Sequence, residues 1–367
     1  MAVEPLFSSR AQRAFMLTIV IQAIIVLTLV AVVFGFVSPI LQCPSPQIIL
    51  NVLHNKVASN LNAIQTIPCY LALFALAEVF ELLMAYDALR LRNVIQLIGI
   101  FFFHGALIVF AALQVHETRT ALVMNAGSSL YISGDGPGTL WTKVKPLLIV
   151  NPCVIAVSWL SIFWWIRELY FEFGWAIFHV VGANPVMKTM YRYYQVMICL
   201  LKFDFFCFTG VTIQVRVLFG RLSSLSNRSL SPHLRQLLIL VLQVNSAEFG
   251  ITIAAIPIVL ILLAMCGVAV QREIKMLMSL SLVLMLAAES YFYKLVRFYE
   301  PASSAAYLST RATLTFFTIV AFVLLFATFA VGLRCFSDFD KGLQSSKVHG
   351  QSYRPVATTH KQDLLGD

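Results

Sequence analysis

Long apolar runs separated by short polar stretches make up most of the chain. A helix needs about 20 predominantly apolar residues to cross a bilayer. Runs of that length occur at 14–38, 66–88, 93–114, 147–168, 193–219, 249–270, 274–298 and 312–335. The pattern therefore predicts an all-α fold, a polytopic membrane helical bundle of about eight transmembrane helices.

Three stretches bear on that count. The first run is longer than the roughly 7–15 apolar residues of a signal peptide, so we expect it to be retained as a span. LRQLLILVLQV at 234–244 is apolar but too short to cross; if it did cross, every later span would invert. The count falls to seven if 274–298 lies on the membrane surface.

Composition places the chain in lipid. Of its 367 residues 59% are hydrophobic and 12% charged, with a mean hydropathy of +0.84, whereas soluble domains carry about 25% charged residues. The net charge of +9 does not indicate nucleic-acid binding, because Lys and Arg are scattered at the ends of apolar runs. That distribution is typical of membrane helices. The lipid bilayer is the predicted partner, and no nucleic acid is expected.

A small excess of Lys and Arg on one side places the N-terminus in the cytoplasm. The predicted organisation is a cytoplasmic N-terminus at 1–13, a helical bundle at 14–335 and a disordered cytoplasmic tail at 336–367. The same orientation puts the sequon that begins at Asn227 in the lumen, where it is a candidate glycosylation site.

Two further modification or sorting signals lie near the C-terminus. Tyr353-Arg354-Pro355-Val356 fits a tyrosine-based sorting pattern, with Tyr353 and Val356 as its defining residues. A four-residue pattern also arises by chance. Cys335 ends the last apolar run and is a candidate for palmitoylation, with an unmodified thiol as the alternative.

Ionisable residues occur inside the predicted spans, where each costs roughly 2.5–3.5 kcal/mol. On straight helices they all fall near the middle of the membrane and form a predicted intramembrane polar layer. Its members are Glu78, Glu81, His104, Lys202, Asp204 and Glu289.

Spacing restricts how these residues can pair. Lys202 and Asp204 are two positions apart, so on a helix they point to roughly opposite sides and need partners on other spans. We expect Lys202 to pair with Glu78, Glu81 or Glu289. Asp204 then needs His104, a backbone or hydroxyl donor, or a proton of its own. The layer has two interpretations: it fixes which helices are neighbours, or it couples transport to protons or ions.

The sequence offers no catalytic or metal-binding pattern. His54, His116, His179 and His233 are isolated, and neither HExxH nor GxSxG occurs. SGDGPG at 133–138 lacks the ending of a phosphate loop. No enzyme activity, cofactor or metal is therefore expected. The stretch 161–185 is rich in Trp and Tyr, which predicts an interfacial aromatic belt continuing as an amphipathic surface segment, with Glu172 and His179 on its wet side.

Several stretches resemble a family of fungal multipass membrane proteins assigned to the Golgi apparatus, for which no activity is established. They include FEFGW, ALFALAEVFELLMAYDALRLRNVIQLIGIFFF, AAESYFYKLVRFYE and the two long stretches that begin GANPVMK and AEFGITI. The similarity runs from about residue 14 to 335, and Lys-Phe-Asp-Phe-Phe at 202–206 is its most specific part. The resemblance implies a helical protein of the Golgi or a related endomembrane.

For function, we expect a non-enzymatic protein that scaffolds, sorts or regulates other membrane or trafficking proteins. The alternatives are a proton- or ion-coupled transporter that uses the polar layer, and a seven-helix-type receptor if one predicted span fails.

Overall fold

The computed structural model describes residues 9–42, 58–119, 123, 139–181, 185–227, 247–295 and 311–341. These residues form helices and no strands. In chain order the helices are α1 (Arg10–Gln42), α2 (Ala58–Arg90), α3 (Val94–Arg119), α4 (Leu140–Val181), α5 (Pro185–Asn227), α6 (Ala247–Arg272), α7 (Lys275–Leu295) and α8 (Arg311–Ser337). Each coincides with one of the eight predicted spans, so the predicted all-α helical bundle is confirmed.

Five of these helices contain a segment long and apolar enough to cross a membrane. These segments are Arg10–Val37, Val94–Arg119, Leu140–Gly174, Pro185–Val211 and Thr315–Ser337. A shorter apolar helix covers Ile258–Arg272. The search covered only the described residues, and the count of eight spans stays a prediction.

The sequence predicts that the fourth span is followed by an amphipathic surface segment, whereas in the structure both belong to one continuous helix, α4. It continues through 42 residues to Val181, a length of about 63 Å, which is roughly twice the hydrocarbon thickness of a bilayer. Trp164 and Tyr170 are exposed on it, as an aromatic belt requires. Glu172, predicted to face water, is half-buried and accepts a hydrogen bond of 2.5 Å from the Gln12 side chain.

The eight helices form two groups of four with the same order of neighbours. In the first group α1 packs on α2 and α4, and α3 packs on the same two helices. In the second group α5 packs on α6 and α8, and α7 packs on the same two. The groups meet mainly where α5 lies against α2 and α3, with a smaller contact between α3 and α8. The molecule is therefore a pair of up-and-down four-helix bundles.

Tight turns join the middle helices of both bundles. Arg92, between α2 and α3, has a positive φ of 48°, and Glu273, between α6 and α7, has a φ of 55°. The Asn93 side chain then caps α3 by accepting hydrogen bonds from the backbone N–H groups of Ile95 and Gln96, at 3.0 and 3.3 Å. These short connections hold consecutive helices side by side.

The buried faces of α3 and α4 repeat every seven residues. On α3 the repeat runs through seven of the buried residues, Leu97, Ile100, His104, Leu107, Ala111, Gln114 and Thr118. On α4 it is Trp141, Val144, Leu148, Asn151, Ile155, Ser158 and Ile162. Steps of three and four keep one face of a helix toward its neighbour. Polar residues therefore enter the bundle at positions that packing requires to be buried.

Phenylalanine rings fill the seam between the two bundles. The rings of Phe80 on α2 and Phe206 on α5 stack with centroids 4.7 Å apart. Phe103 meets Phe206 edge-on at 5.0 Å, and Phe110 meets Phe317 of α8 at 5.4 Å. Aromatic pairs of this kind contribute about 0.5–1.5 kcal/mol beyond their buried area. The seam is therefore a packed aromatic interface.

The predicted tail begins with residues that pack on the bundle. Residues 338–340 form a turn after α8, and Phe339 is buried in the core. Asp340 pairs with Lys275, and its backbone N–H donates to Glu273 at 3.3 Å. The start of the tail is thus attached to the α6–α7 turn. Residues 342–367 lie outside the described part.

Candidate functional site

The polar residues in the first bundle lie on facing helices. Glu78 on α2 is fully buried, and the side-chain amide of Gln22 on α1 donates to both of its carboxyl oxygens at 2.8 Å. Gln22 is also buried, and its Oε1 has no hydrogen-bond partner among the described residues. The contact joins α1 to α2 at mid-bundle.

One turn further along α2, Glu81 contacts His104 of α3. The distance from His104 Nδ1 to Glu81 Oε1 is 2.6 Å, and both side chains are fully buried. His104 Nε2 lies 2.9 Å from Ser158 Oγ and 3.1 Å from the Ile155 carbonyl oxygen, both on α4. This contact therefore links three helices.

The Nε2 atom of His104 faces two oxygen atoms of α4. The Ser158 hydroxyl donates to the Ile155 carbonyl at 2.8 Å. That carbonyl can only accept, so a hydrogen bond from His104 to it requires a hydrogen on Nε2. The imidazole ring therefore contacts α2 through Nδ1 and α4 through Nε2.

Lys202 reaches different residues from those predicted. Its ammonium donates to the carboxylate of Asp87 on α2 and, at 3.1 Å, to the side-chain oxygen of Gln96 on α3. Gln96 in turn donates to Asp87 at 3.0 Å and to the Met84 carbonyl at 2.9 Å. The predicted pairing with Glu78, Glu81 or Glu289 is therefore wrong.

Lys202 has these partners because of its position near the end of the bundle and the length of its side chain. Lys202 and Asp87 are both about one-third exposed, so the long lysine stem carries its charge toward the end of the bundle rather than its centre. Asp87 is at the edge of the predicted second span, and it was not among the residues of the predicted polar layer.

Asp204 turns toward the second bundle. Its Oδ2 accepts a hydrogen bond of 2.5 Å from the hydroxyl of Thr328 on α8, and both residues are fully buried. A hydroxyl donor was one of the three predicted solutions, and this one is confirmed. The prediction that Lys202 and Asp204 face different helices is confirmed as well. Thr328, one of four threonines in the last apolar run, was missed.

The six predicted residues therefore form several clusters instead of one layer. Glu289 on α7 is half-buried, and its Oε1 has no hydrogen-bond partner in the described part of the chain. Across the described ranges, no group of three or more His, Cys, Asp or Glu side chains has a geometry suited to a metal ion.

The candidate palmitoylation, glycosylation and sorting residues lie at or beyond the ends of helices. The Cys335 side chain is buried, 5% exposed, at the end of α8, so acylation would require its last turn to open. Asn227 is the final residue of α5, and its side chain lies outside those described, as do Tyr353 and Val356. Palmitoylation, glycosylation and sorting stay predictions.

Comparison with known proteins gives one informative similarity. The chain is 25% identical over 303 residues to a UPF0658 Golgi apparatus membrane protein of Schizosaccharomyces pombe, covering 77% of this chain and 78% of that protein. No family model matches, and no solved structure matches. The resemblance predicted from the sequence is thereby confirmed: the chain is an all-helical multipass membrane protein of the Golgi apparatus or a related endomembrane, similar to a fungal Golgi membrane protein family.

Proposed function

We propose that the protein is a non-enzymatic membrane protein that scaffolds, sorts or regulates other proteins of its membrane. The observation that supports this is that ionisable residues of the predicted spans pair neighbouring helices, two of the three contacts being fully buried and the third partly exposed. Glu81 with His104, Lys202 with Asp87, and Asp204 with Thr328 each join different helices. Buried polar contacts of this kind can specify which helices are neighbours.

The outer surface suits a protein that acts through contacts in the membrane. Large apolar side chains are exposed on several helices, among them Phe102 on α3, Leu160 on α4 and Phe326 on α8. Such side chains contact lipid tails or the helices of other membrane proteins. The turn at 338–340, where the predicted tail begins, is attached to the bundle through Asp340.

Cross-linking in native endomembranes tests this proposal. The full chain should capture a defined set of membrane proteins, and a chain ending at Lys341 should lose part of that set while its helical bundle stays intact. The cut keeps the buried Phe339. Unchanged partners and unchanged location in the truncated chain would contradict a sorting role of the tail.

The second candidate is a proton-coupled carrier, which is favoured by the fully buried Glu81–His104 contact close to the buried Glu78. Proteoliposomes with an enclosed pH-sensitive dye separate the two functions. Under the scaffold proposal, proton flux with the wild-type chain equals that with Glu81→Gln and that of empty liposomes. Flux above empty liposomes that disappears in Glu81→Gln would establish the carrier instead.

A further inference from the structure

The tight turns of the two bundles are equivalent in sequence position and in backbone geometry. Arg92 and Glu273 are 181 positions apart, and both have a positive φ. In each turn the next residue, Asn93 or Ile274, donates its backbone N–H to the carbonyl five positions earlier, at 3.0 and 3.1 Å. The second bundle therefore repeats the first at a spacing of 181 residues.

The buried faces of the middle helices follow the same spacing. On α2 and α3 the buried positions include Glu81, Ala88, Leu97 and His104. The positions 181 residues further on, in α6 and α7, are also buried: Leu262, Ala269, Met278 and Met285. Together with the matching order of neighbours, this agreement makes α1–α4 and α5–α8 two copies of one fold.

The first helices of the two bundles correspond at a spacing of 182 residues. On α1 the face toward its own bundle includes Phe15, Ile19, Gln22 and Val26, all buried. The equivalent residues of α5 are Met197, Leu201, Asp204 and Phe208, which are buried as well. This correspondence identifies the α1 counterpart of every α5 residue that contacts the first bundle.

Helix α5 contacts the first bundle through a second face. Phe203 packs where α3 has Gly99, and Phe206 stacks on Phe80 of α2 and meets Phe103 of α3. The first helix of one bundle thus lies on the second and third helices of the other. Such a contact is head-to-tail, because each bundle contributes a different surface.

The α1 surface equivalent to this face of α5 is uncovered. Cys199, Phe203 and Phe206 are buried on α5, whereas their α1 counterparts Leu17, Ile21 and Ile24 are about half exposed or more. Within the described ranges, α1 has no contact with α6 or α7 as extensive as that of α5 with α2 and α3.

The surface equivalent to the receiving side is uncovered too. Ile261 of α6 takes the place of Phe80, and Leu280 of α7 takes the place of Gly99; both are exposed. The first bundle pairs Gly99 with the large Phe203, whereas the equivalent pair would be Leu280 with Ile21. Two side chains of intermediate size then replace a small and a large one, so the combined volume stays similar.

We propose that a second copy of the chain docks its α1 on α6 and α7 of the first, as α5 docks on α2 and α3 within one chain. Packing, rather than apolar character, drives helix association in lipid, and this packing arrangement already occurs once in the molecule. Because the contact is head-to-tail, further copies can add in a ring or a row. The assembly depends neither on the scaffold nor on the carrier proposal.

Cysteine cross-linking in native membranes tests the contact. Ile24 and Ile261 correspond to Phe206 and Phe80, whose stacked rings identify them as facing positions. Two co-expressed full-length chains with different tags carry Ile24→Cys and Ile261→Cys, and a mild oxidant joins thiols that lie in contact. We expect a disulfide-linked product that carries both tags.

The matched control replaces Ile261→Cys by Leu160→Cys, which lies on an equally exposed part of α4. Chains without an added cysteine give the background of the native thiols. A doubly tagged product no more abundant than in these controls would overturn the proposal and assign both surfaces to lipid. Cross-linking of two Ile24→Cys chains to each other would overturn it as well, since that contact joins α1 to α1.

The mass of the full-length protein in lipid nanodiscs gives a second measurement. The wild-type chain should form oligomers, and Ile21→Ala combined with Ile24→Ala should lower the oligomeric fraction by about tenfold. The unfolding temperature of the single chain should not change, because both side chains are exposed there. Leu160→Ala should leave the fraction unaltered. A wild-type chain that is monomeric at every protein-to-lipid ratio would contradict the proposal.

Discussion

At the scale of single residues, Glu81 and His104 depend on each other because neither is exposed to solvent. Their side chains are fully buried and 2.6 Å apart, and His104 extends the contact to α4. In an apolar interior a polar group that loses its partner pays its full desolvation cost. The pair is therefore a sensitive point of the first bundle.

We predict that His104→Leu destabilises the protein by about 3–5 kcal/mol, because it leaves Glu81 buried without its partner. The double variant Glu81→Leu/His104→Leu should recover most of that loss, since a buried pair can often be replaced by apolar residues. The measurement is the unfolding temperature of the full-length protein in mild detergent. Phe102→Leu serves as the control, as Phe102 is 70% exposed on the same helix. Equal losses in the single and double variants would contradict the pairing.

Thr328 is the corresponding residue in the second bundle. Thr328→Val keeps the shape of the side chain but removes the donor to Asp204 Oδ2, while Asp204 Oδ1 already has no partner in the described structure. We expect a loss of about 1–3 kcal/mol, measured as a lowered unfolding temperature. Thr328→Ser retains the hydroxyl and should lose much less. Similar losses for Val and Ser would indicate that packing of the methyl group matters, not the hydrogen bond.

At the scale of helices, α3 and α5 approach closely at Gly99. A Cβ atom added there would lie 2.7 Å from the Phe203 ring and 2.9 Å from Cys199 Sγ. Small residues permit such approaches between membrane helices. The position joins the two bundles, because α3 belongs to the first and α5 to the second.

Gly99→Ala is therefore predicted to lower the unfolding temperature, whereas Gly35→Ala on α1 should not, because nothing lies within 4 Å of a Cβ atom there. Alanine in an open helix is otherwise favoured over glycine by about 1 kcal/mol. Adding Phe203→Leu and Cys199→Ala to Gly99→Ala should restore stability by making room. Destabilisation of equal size at Gly35 would show that the effect is not steric.

At the scale of the whole molecule, the seam of phenylalanine rings holds the two bundles together. Phe80 and Phe206 stack across it, and Lys202 bridges the same helices at its edge. Each bundle has its own ring of four helices. The bundles are thus units that meet through a limited and largely aromatic interface.

We predict that co-expressed fragments 1–183 and 184–367 assemble in the membrane and copurify. Phe80→Ala combined with Phe206→Ala should reduce copurification, because the stacked pair and its packing are lost. Phe102→Ala, which changes an exposed ring, is the matched control. Copurification that is insensitive to the seam variants would assign the association to other contacts.

Sequence spacing alone predicted that Lys202 and Asp204 contact different helices. Two positions separate Lys202 from Asp204, and helical geometry requires that they face different neighbours, as they do toward α2 with α3 and toward α8. The sequence did not predict their partners, because nothing in the residues around Asp87 and Thr328 indicates the contacts that these side chains make. The expected pairing of Lys202 with the mid-span glutamates was wrong since a lysine stem can reach past them.

The amino-acid sequence by itself determined that the chain is helical and belongs in a membrane, because hydrophobic run length and charge content depend only on local composition. It also determined the helix positions, since each apolar run must satisfy its own backbone hydrogen bonds in lipid. Only the tertiary structure decided the division into two bundles and the partners of Glu81, Lys202 and Asp204. These depend on which helices become neighbours, and that choice comes from packing between residues far apart in the chain.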